Sequence, residues 1–323
     1  MPVILLHRES AVSILTITLH PAIDKVLRLR RLRPDDTARA EIEMIYGGGK
    51  GNNVARALTR LGVAVTASGY QGGYTGEFIT RRLNAEGIQT HFIVCSAPTR
   101  TSLLIHEQET NYTYAVYEPG QEVTPAEIQM LEDTFCELLP DIRLCLLCGS
   151  GQTSELAQVF PRLVTLAADQ GIPSIVDSSG ISLQSSIQAR PAMIKVNAEE
   201  LGEASGRTVE STAAQVDAMR SLHTAGVSKV ALTRGADGLL LSDGKEIWEG
   251  DLPVQQVINT VGCGDSVLAG IAKMWIEGGN GAEMVRWGVA CGAANTQAHG
   301  AGFIDPQLVE AFLPRVAVRQ YPS

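Results

Sequence analysis

The stretch Asn259-Thr260-Val261-Gly262-Cys263-Gly264-Asp265-Ser266 runs directly into an apolar helical pattern. Glycines at a helix start leave main-chain N–H groups open, so those of Gly262, Cys263 and Gly264 can form an anion hole, with the Asp265 carboxylate in the first turn beside it. A carboxylate so placed can take a proton from an attacking hydroxyl while the N–H groups hold developing phosphoryl charge. On these residues alone a second reading is equally open: Asp265 merely stabilises the helix N-terminus. Tyr46-Gly47-Gly48-Gly49-Lys50-Gly51-Asn52-Asn53 repeats the pattern of glycines before a helix. It lacks the Gly-Lys-Ser/Thr ending of a Walker loop and is no clean dinucleotide fingerprint; it could equally be a tight turn. In Lys195-Val196-Asn197-Ala198-Glu199-Glu200, Asn197 and Glu200 are three apart and share a helical face. They could reach Mg²⁺, directly or through water, or form a helix cap with no metal at all.

These segments need a scaffold, and the chain reads as alternating strands and helices. Continuous apolar runs at Ile14–Leu19, Val65–Gly69, Leu144–Leu147, Ser174–Asp177, Met193–Val196, Lys229–Thr233 and Gly238–Leu241 fit strands of a parallel sheet covered on both faces. Helices are expected at Asn53–Leu61, Gly76–Glu86, Glu155–Asp169, Gly264–Glu277 and Ala282–His299. Two strand-like stretches, 25–46 and 101–117, have no helix of adequate length between their strands and read as a small separate sheet inserted into one main domain spanning 1–323. No long Pro/Gly/Ser linker and no repeat of 20 to 50 residues divides the chain.

Taken together, the three motifs add up to a family. With Thr18-Leu19-His20-Pro21-Ala22-Ile23-Asp24, Asp177-Ser178-Ser179-Gly180 and Thr233-Arg234-Gly235-Ala236-Asp237-Gly238, they resemble the ribokinase-like PfkB sugar kinases in order and spacing. The Gly-Gly-x-Gly-x-Asn and Gly-x-Gly-Asp motifs, about 210 residues apart, are specific together where neither is alone. The chain is most similar to the phosphosugar branch: 1-phosphofructokinases, tagatose-6-phosphate kinases and minor 6-phosphofructokinases. The resemblance implies a three-layer α/β/α fold, with a mainly parallel central sheet and a small β-sheet lid that closes on the sugar and contributes to a homodimer. It implies Asp265 as base with Gly262, Cys263 and Gly264 as anion hole, and Asp24, Gly48, Gly49 and Asn53 on sugar hydroxyls. Arg100 falls where the branch carries an arginine, and its planar fork suits a phosphate already on the substrate; Arg39 is a second candidate for that phosphate. Lys195, Asn197, Thr233, Gly235, Gly238 and Ala293 fall on the ATP side, and Glu200 near Mg²⁺. A monovalent cation at the Gly262 loop is left open. The implied activity is phosphorylation of a primary hydroxyl of a phosphorylated ketohexose, first fructose 1-phosphate, then tagatose 6-phosphate or fructose 6-phosphate, then an unphosphorylated sugar, polyol or nucleoside. The chain departs from the branch at His20, at Gly149-Ser150-Gly151-Gln152, at Val196 and at Cys263.

Composition excludes other classes. Hydrophobic residues make up 45% and charged ones 19%, which is ordinary globular usage, and 26 basic against 35 acidic residues give −9. An acidic chain offers no general field for nucleic acid, and the short basic run Arg28 to Arg33 reads as a partly solvated strand. No membrane-length apolar run exists, and Ile4-Leu5-Leu6 is broken at once by His7-Arg8-Glu9. Six cysteines are too sparse for a disulfide scaffold, so a reducing cytoplasm is expected. Cys145 and Cys148 have redox-motif spacing but lie in an apolar strand and read as core, and no His cluster completes a zinc site. A dehydrogenase fails because the first strand is followed by Pro21 rather than Gly-x-Gly-x-x-Gly. A catalytically silent sugar- or nucleotide-binding regulator is the rival of another class, opposed by the retained Asp265 and its flanking glycines.

Overall fold

The computed structural model describes residues 13–110, 112–253 and 257–321; the Ile4-Leu5-Leu6 segment lies outside them. Fourteen strands run β1 (Ser13–Thr18), β2 (Ala22–Leu29), β3 (Glu41–Gly48), β4 (Ala64–Gln71), β5 (Gln89–Val94), β6 (Arg100–Glu107), β7 (Tyr112–Tyr117), β8 (Ile142–Cys148), β9 (Ser174–Asp177), β10 (Met193–Asn197), β11 (Lys229–Thr233), β12 (Leu239–Ser242), β13 (Ile247–Asp251) and β14 (Ala317–Gln320). Ten of them form one sheet in the order β14-β13-β12-β11-β10-β9-β8-β1-β4-β5. The seven strands from β11 to β5 are parallel, and β12 to β14 add an antiparallel edge, so the run at Gly238–Leu241, expected as a parallel strand, pairs antiparallel with β11 because only the short turn Gly235–Asp237 joins them.

Side chains alternate across this sheet, which divides the core in two. Ile14, Leu144, Leu146, Ile175 and Met193 pack on one side with α1 (Lys50–Arg60), α2 (Gly73–Ala85), α9 (Cys263–Ile276), α10 (Gly281–Asn295) and α11 (Pro306–Phe312). Leu15, Ile17, Leu147, Val176 and Ile194 pack on the other with α3 (Pro125–Leu138), α5 (Val159–Asp169), α6 (Gly180–Gln188), α7 (Ala198–Ser205) and α8 (Thr212–Thr224), while the single turn α4 (Ser154–Ala157) precedes α5. This is the three-layer α/β/α arrangement the sequence implied. Cys145 and Cys148 fall on opposite faces, buried and unpaired, as strand residues three apart must. Among the described residues no helix is long and apolar enough to cross a membrane.

A second sheet, in the order β3-β2-β6-β7, stands apart from the first. It contains both strand-like stretches read from the sequence, extended to Ala22 and Gly48, and its small core is Val26, Tyr46, Leu104 and Ala301.

Two expected helices are shorter than the sequence suggests. Glu155–Asp169 is broken at Gln158 because Pro161 has no N–H to give to the Ala157 carbonyl. Ala282–His299 stops at Asn295, whose side chain serves the neighbouring loop instead, donating to Val261 O at 2.8 Å and accepting from Gly302 N at 2.8 Å.

The chain leaves β1 for β4 and β5 on one side and returns to β8 on the other, so the strand order switches at β1. The crevice beyond the carboxyl ends of β1 and β8 is where such sheets bind ligands.

Candidate active site

Five charged or polar side chains from four elements meet near that crevice. Asp265, in the first turn of α9, is 7% exposed, and its Oδ2 accepts a 2.8 Å hydrogen bond from Nδ2 of Asn53 on α1. Asp177, the last residue of β9, is wholly buried and held on both oxygens: Lys195 Nζ donates to Oδ2 at 2.8 Å and Lys50 Nζ to Oδ1 at 2.9 Å. Strand register makes the first contact, since Lys195 on β10 pairs directly with Asp177. Lys50, at the first position of α1, also lies 3.8 Å from Glu200 Oε1.

The two carboxyls are pushed apart. Burial would raise Asp177, but the Lys195 and Lys50 ammonium groups outweigh it and hold Asp177 below the usual carboxylate range. Asp265 is raised, first by burial and then by the Asp177 charge, with Lys50, Lys195 and the Asn53 hydrogen bond opposing. Burial alone would lower Lys50; the Asp177, Glu200 and Asp265 carboxylates reverse that and fix it as a cation. The outcome is one permanent anion and one carboxyl that is the readier proton acceptor of the pair.

The expected anion-hole residues lie at the start of α9. Gly262 takes a left-handed φ of +80°, and the turn folds Cys263 N–H back onto Thr260 O at 3.3 Å. The N–H groups of Gly264 and Asp265 have no acceptor among the described residues. A Cβ at Gly264 would stand 3.2 Å from Lys195 Nζ, so that ammonium flanks the same turn.

Asp24, on β2, faces Gly48 so closely that a Cβ there would come within 1.9 Å of Oδ2, and only glycine fits. Gly49 adopts φ +105°, which again favours glycine. Burial lifts Asp24 to about 6, against the pull of Arg56 and Arg100. The Arg100 guanidinium donates to Glu118 O at 3.1 Å and to His20 O at 3.5 Å. Arg39 is not brought in: it is exposed on the connection between β2 and β3, with no partner among the described residues.

Asn197 and Glu200 form a reciprocal helix cap, Glu200 N to Asn197 Oδ1 at 2.9 Å and Asn197 N to Glu200 Oε2 at 2.8 Å. No group of three potential ligands exists among the described residues. With Glu200 engaged in the cap and Asp177 taken by two lysines, the donor set does not fit a protein-only Mg²⁺ site. Asn197 pairs in register with Thr233, whose hydroxyl donates to Val196 O at 3.2 Å. Gly235 and Gly238 turn the chain with φ of +60° and +82°, and Ala293 is buried on α10.

Sequence reasoning left three residues without a role. Lys50 stood inside the glycine motif as its only cation, and Asp177 was a charge closing an apolar strand; both were legible signals. Arg56 is a buried arginine, 1% exposed, that donates to Glu86 Oε2 at 2.5 Å, Gly47 O at 2.6 Å, Ala301 O at 3.1 Å and Asn53 Oδ1 at 3.2 Å. It fixes the Asn53 amide so that its NH₂ faces Asp265. A cavity of about 290 Å³ between α8 and the β12–β13 hairpin, lined by His223 and Lys245 among others, lies far along the sheet and includes none of these groups.

The family model for the pfkB family of carbohydrate kinases matches residues 12–308. Escherichia coli phosphofructokinase-2 in complex with substrates and products superposes with a TM-score of 0.88 at 28% identity, over 94% of this chain and 99% of that one. Other structures of that enzyme, 27 to 29% identical, contain potassium or fructose-6-phosphate, or show a tetrameric inhibited form. Arabidopsis thaliana ribokinase with ribose and ATP, at 20% identity and TM-score 0.76, covers 94% of this chain and 99% of its own; it speaks to fold alone.

Proposed function

The chain belongs to the pfkB family of carbohydrate kinases, and from that premise we propose that it transfers the γ-phosphoryl group of ATP to a primary hydroxyl of a phosphorylated ketohexose. The observation that carries the reading is the split pair of carboxyls, Asp265 raised and aimed by Asn53, Asp177 locked as an anion by two lysines.

Asp265 takes the proton of the acceptor hydroxyl as its oxygen forms a bond to the γ-phosphorus, and the bond to the bridging oxygen of ADP breaks. The free N–H groups of Gly264 and Asp265, with the Lys195 and Lys50 ammonium groups, face the charge that spreads over the phosphoryl oxygens. Asp24, Gly48, Gly49 and Asn53 hold the sugar, Arg100 takes the phosphate already on it, and Asn197, Thr233, Gly235, Gly238 and Ala293 serve the nucleotide. The second sheet closing over the sugar would exclude water, the competing acceptor. Mg²⁺ bound to the nucleotide would supply charge neutralisation on its phosphates.

Fructose 1-phosphate is the first acceptor on the sequence motifs, and the structure of Escherichia coli phosphofructokinase-2 with fructose-6-phosphate, at 28% identity, supports fructose 6-phosphate beside it; either gives fructose 1,6-bisphosphate. We also infer a homodimer through the second sheet, whose Ile42, Tyr112 and Val116 are 64, 63 and 52% exposed, and a cytoplasmic setting suited to six unpaired thiols. The test is ADP release with MgATP against fructose 6-phosphate, fructose 1-phosphate, tagatose 6-phosphate, fructose, myo-inositol and adenosine. Preference for a phosphosugar in kcat/KM supports the reading; turnover of an unphosphorylated acceptor alone removes the phosphosugar assignment; and no turnover with any of them returns the silent regulator.

A further inference from the structure

Of the ten buried side-chain polar atoms that lack a partner among the described residues, four lie together: both ring nitrogens of His20, Nε of Arg100 and Oε1 of Gln121. Native structures rarely leave such groups unpaired; Gln121 Oε1 takes one imidazole N–H, and the remaining ring nitrogen with Arg100 Nε marks a place where a ligand completes the bonding. His20 is 8% exposed and sits two residues beyond β1, at the switch in strand order and four residues before Asp24. Ala22 pairs in register with Arg100, whose Nη2 donates to the His20 carbonyl at 3.5 Å. From above, the segment after β7 closes on the imidazole: a Cβ at Gly120 would stand 2.4 Å from Nδ1, so only glycine lets the chain approach. Gln121 is anchored by its NH₂ to Tyr70 O at 3.2 Å, which leaves Oε1 as an acceptor beside the ring.

Burial first, and the Arg100 charge second, hold His20 down at about 4, so it is neutral near pH 7. A neutral imidazole has one N–H and one bare nitrogen. The N–H suits Gln121 Oε1. The bare nitrogen can then only accept, so it repels an acceptor-only phosphate and suits a hydroxyl; the phosphate belongs to Arg100.

We propose that His20, oriented by Gln121, is a specificity-determining residue of the acceptor site, its bare ring nitrogen accepting a hydrogen bond from a sugar hydroxyl beside the group that Arg100 holds. The proposal rests on the kinase reading above and assigns which side chain discriminates among acceptors.

Steady-state kinetics of His20→Leu, His20→Asn and Gln121→Leu against the three phosphosugars and ATP test it. In His20→Leu the acceptor KM is expected to rise by about tenfold or more, because a site built to bond a hydroxyl loses that bond. The spread of kcat/KM across fructose 6-phosphate, fructose 1-phosphate and tagatose 6-phosphate narrows, while the KM for ATP stays unchanged. His20→Asn, which keeps a donor and an acceptor, recovers part of the loss, and Gln121→Leu shows the same pattern more weakly with His20 intact. An unchanged acceptor KM and spread in folded His20→Leu, or equal loss with ATP, overturns the proposal. If His20→Leu does not fold, an unchanged acceptor KM in Gln121→Leu does so. Should the wild type act only on unphosphorylated acceptors, the phosphosugar reading falls, and the same ratios measured with fructose and tagatose still decide His20.

Discussion

At the scale of single residues, the site is a set of matched perturbations. If Asp265 is the base, Asp265→Asn keeps the shape and the Asn53 neighbour but loses the proton acceptor, so kcat falls by about a thousandfold or more while acceptor and ATP still bind in calorimetry. Near-normal kcat in a pure preparation would remove Asp265 from that role. His20 and Asp24 carry opposite linkage to stability. His20 is lowered from 6.5 to about 4, so between those values the unfolded chain binds the extra proton, and this group's contribution grows as pH rises from 4 to 6.5. Asp24 is raised from 3.8 to about 6, so the folded chain holds the extra proton and stability from this group falls over that window. The wild type's advantage over His20→Asn should therefore increase with pH from 4 to 6.5, by up to about 3 kcal/mol, and its advantage over Asp24→Asn should shrink. Urea midpoints across pH read both, and parallel curves for all three proteins would contradict them.

At the scale of elements, α1 does more than any other. Lys50, Asn53 and Arg56 follow one another three residues apart, so one helix end delivers a cation to Asp177, an amide to Asp265 and a guanidinium behind both. The Arg56 guanidinium also lies over the Tyr46 and Phe303 rings at 5.1 and 4.5 Å. Arg56→Met should cost about 3 kcal/mol of stability, because Glu86, Gly47 O and Ala301 O lose their donor, and kcat should drop further than folding explains as Asn53 loses its orientation. A kcat equal to wild type under conditions where the variant is folded would mean the amide needs no such support. Lys50 fills the space where Asp177 and Glu200 could otherwise share a divalent ion. Electron paramagnetic resonance should find no stoichiometric Mn²⁺ on the enzyme without nucleotide, and Lys50→Ala should acquire such binding; tight Mn²⁺ on the wild type alone would show that the lysine does not guard those carboxylates.

For the whole molecule, the two sheets have different tasks. The large one is covered by helices on both faces and fixes the switch point, whereas the small one keeps a thin core and an exposed apolar surface at Ile42, Tyr112 and Val116. If that surface joins two copies and the small sheet covers the sugar as proposed, Ile42→Lys with Val116→Lys should convert a dimer to a monomer in sedimentation and raise the acceptor KM more than the KM for ATP. An unchanged sedimentation coefficient would place the interface elsewhere.

The layers and the chemistry-bearing loops are legible in local sequence. Continuous apolar runs separated by amphipathic stretches allow little besides a covered parallel sheet, and glycines before helices announce the two turns holding Asn53 and Asp265. These are local signals, carried by period and by backbone conformations that glycine tolerates. Tertiary structure decided what each charge does. Asp177 and Lys195 are 18 residues apart and become partners only through strand register, and Asn53 meets Asp265 across 212 residues. The same holds for the Asn197 and Glu200 spacing, which suits a metal or a cap equally and forms a cap here, and for Cys263, whose N–H turns back onto Thr260 O. Periodicity reports which face a residue occupies; only the packed chain fixes which buried charge finds which partner, because in a low-dielectric interior that pairing sets each group's protonation and so its part in the chemistry.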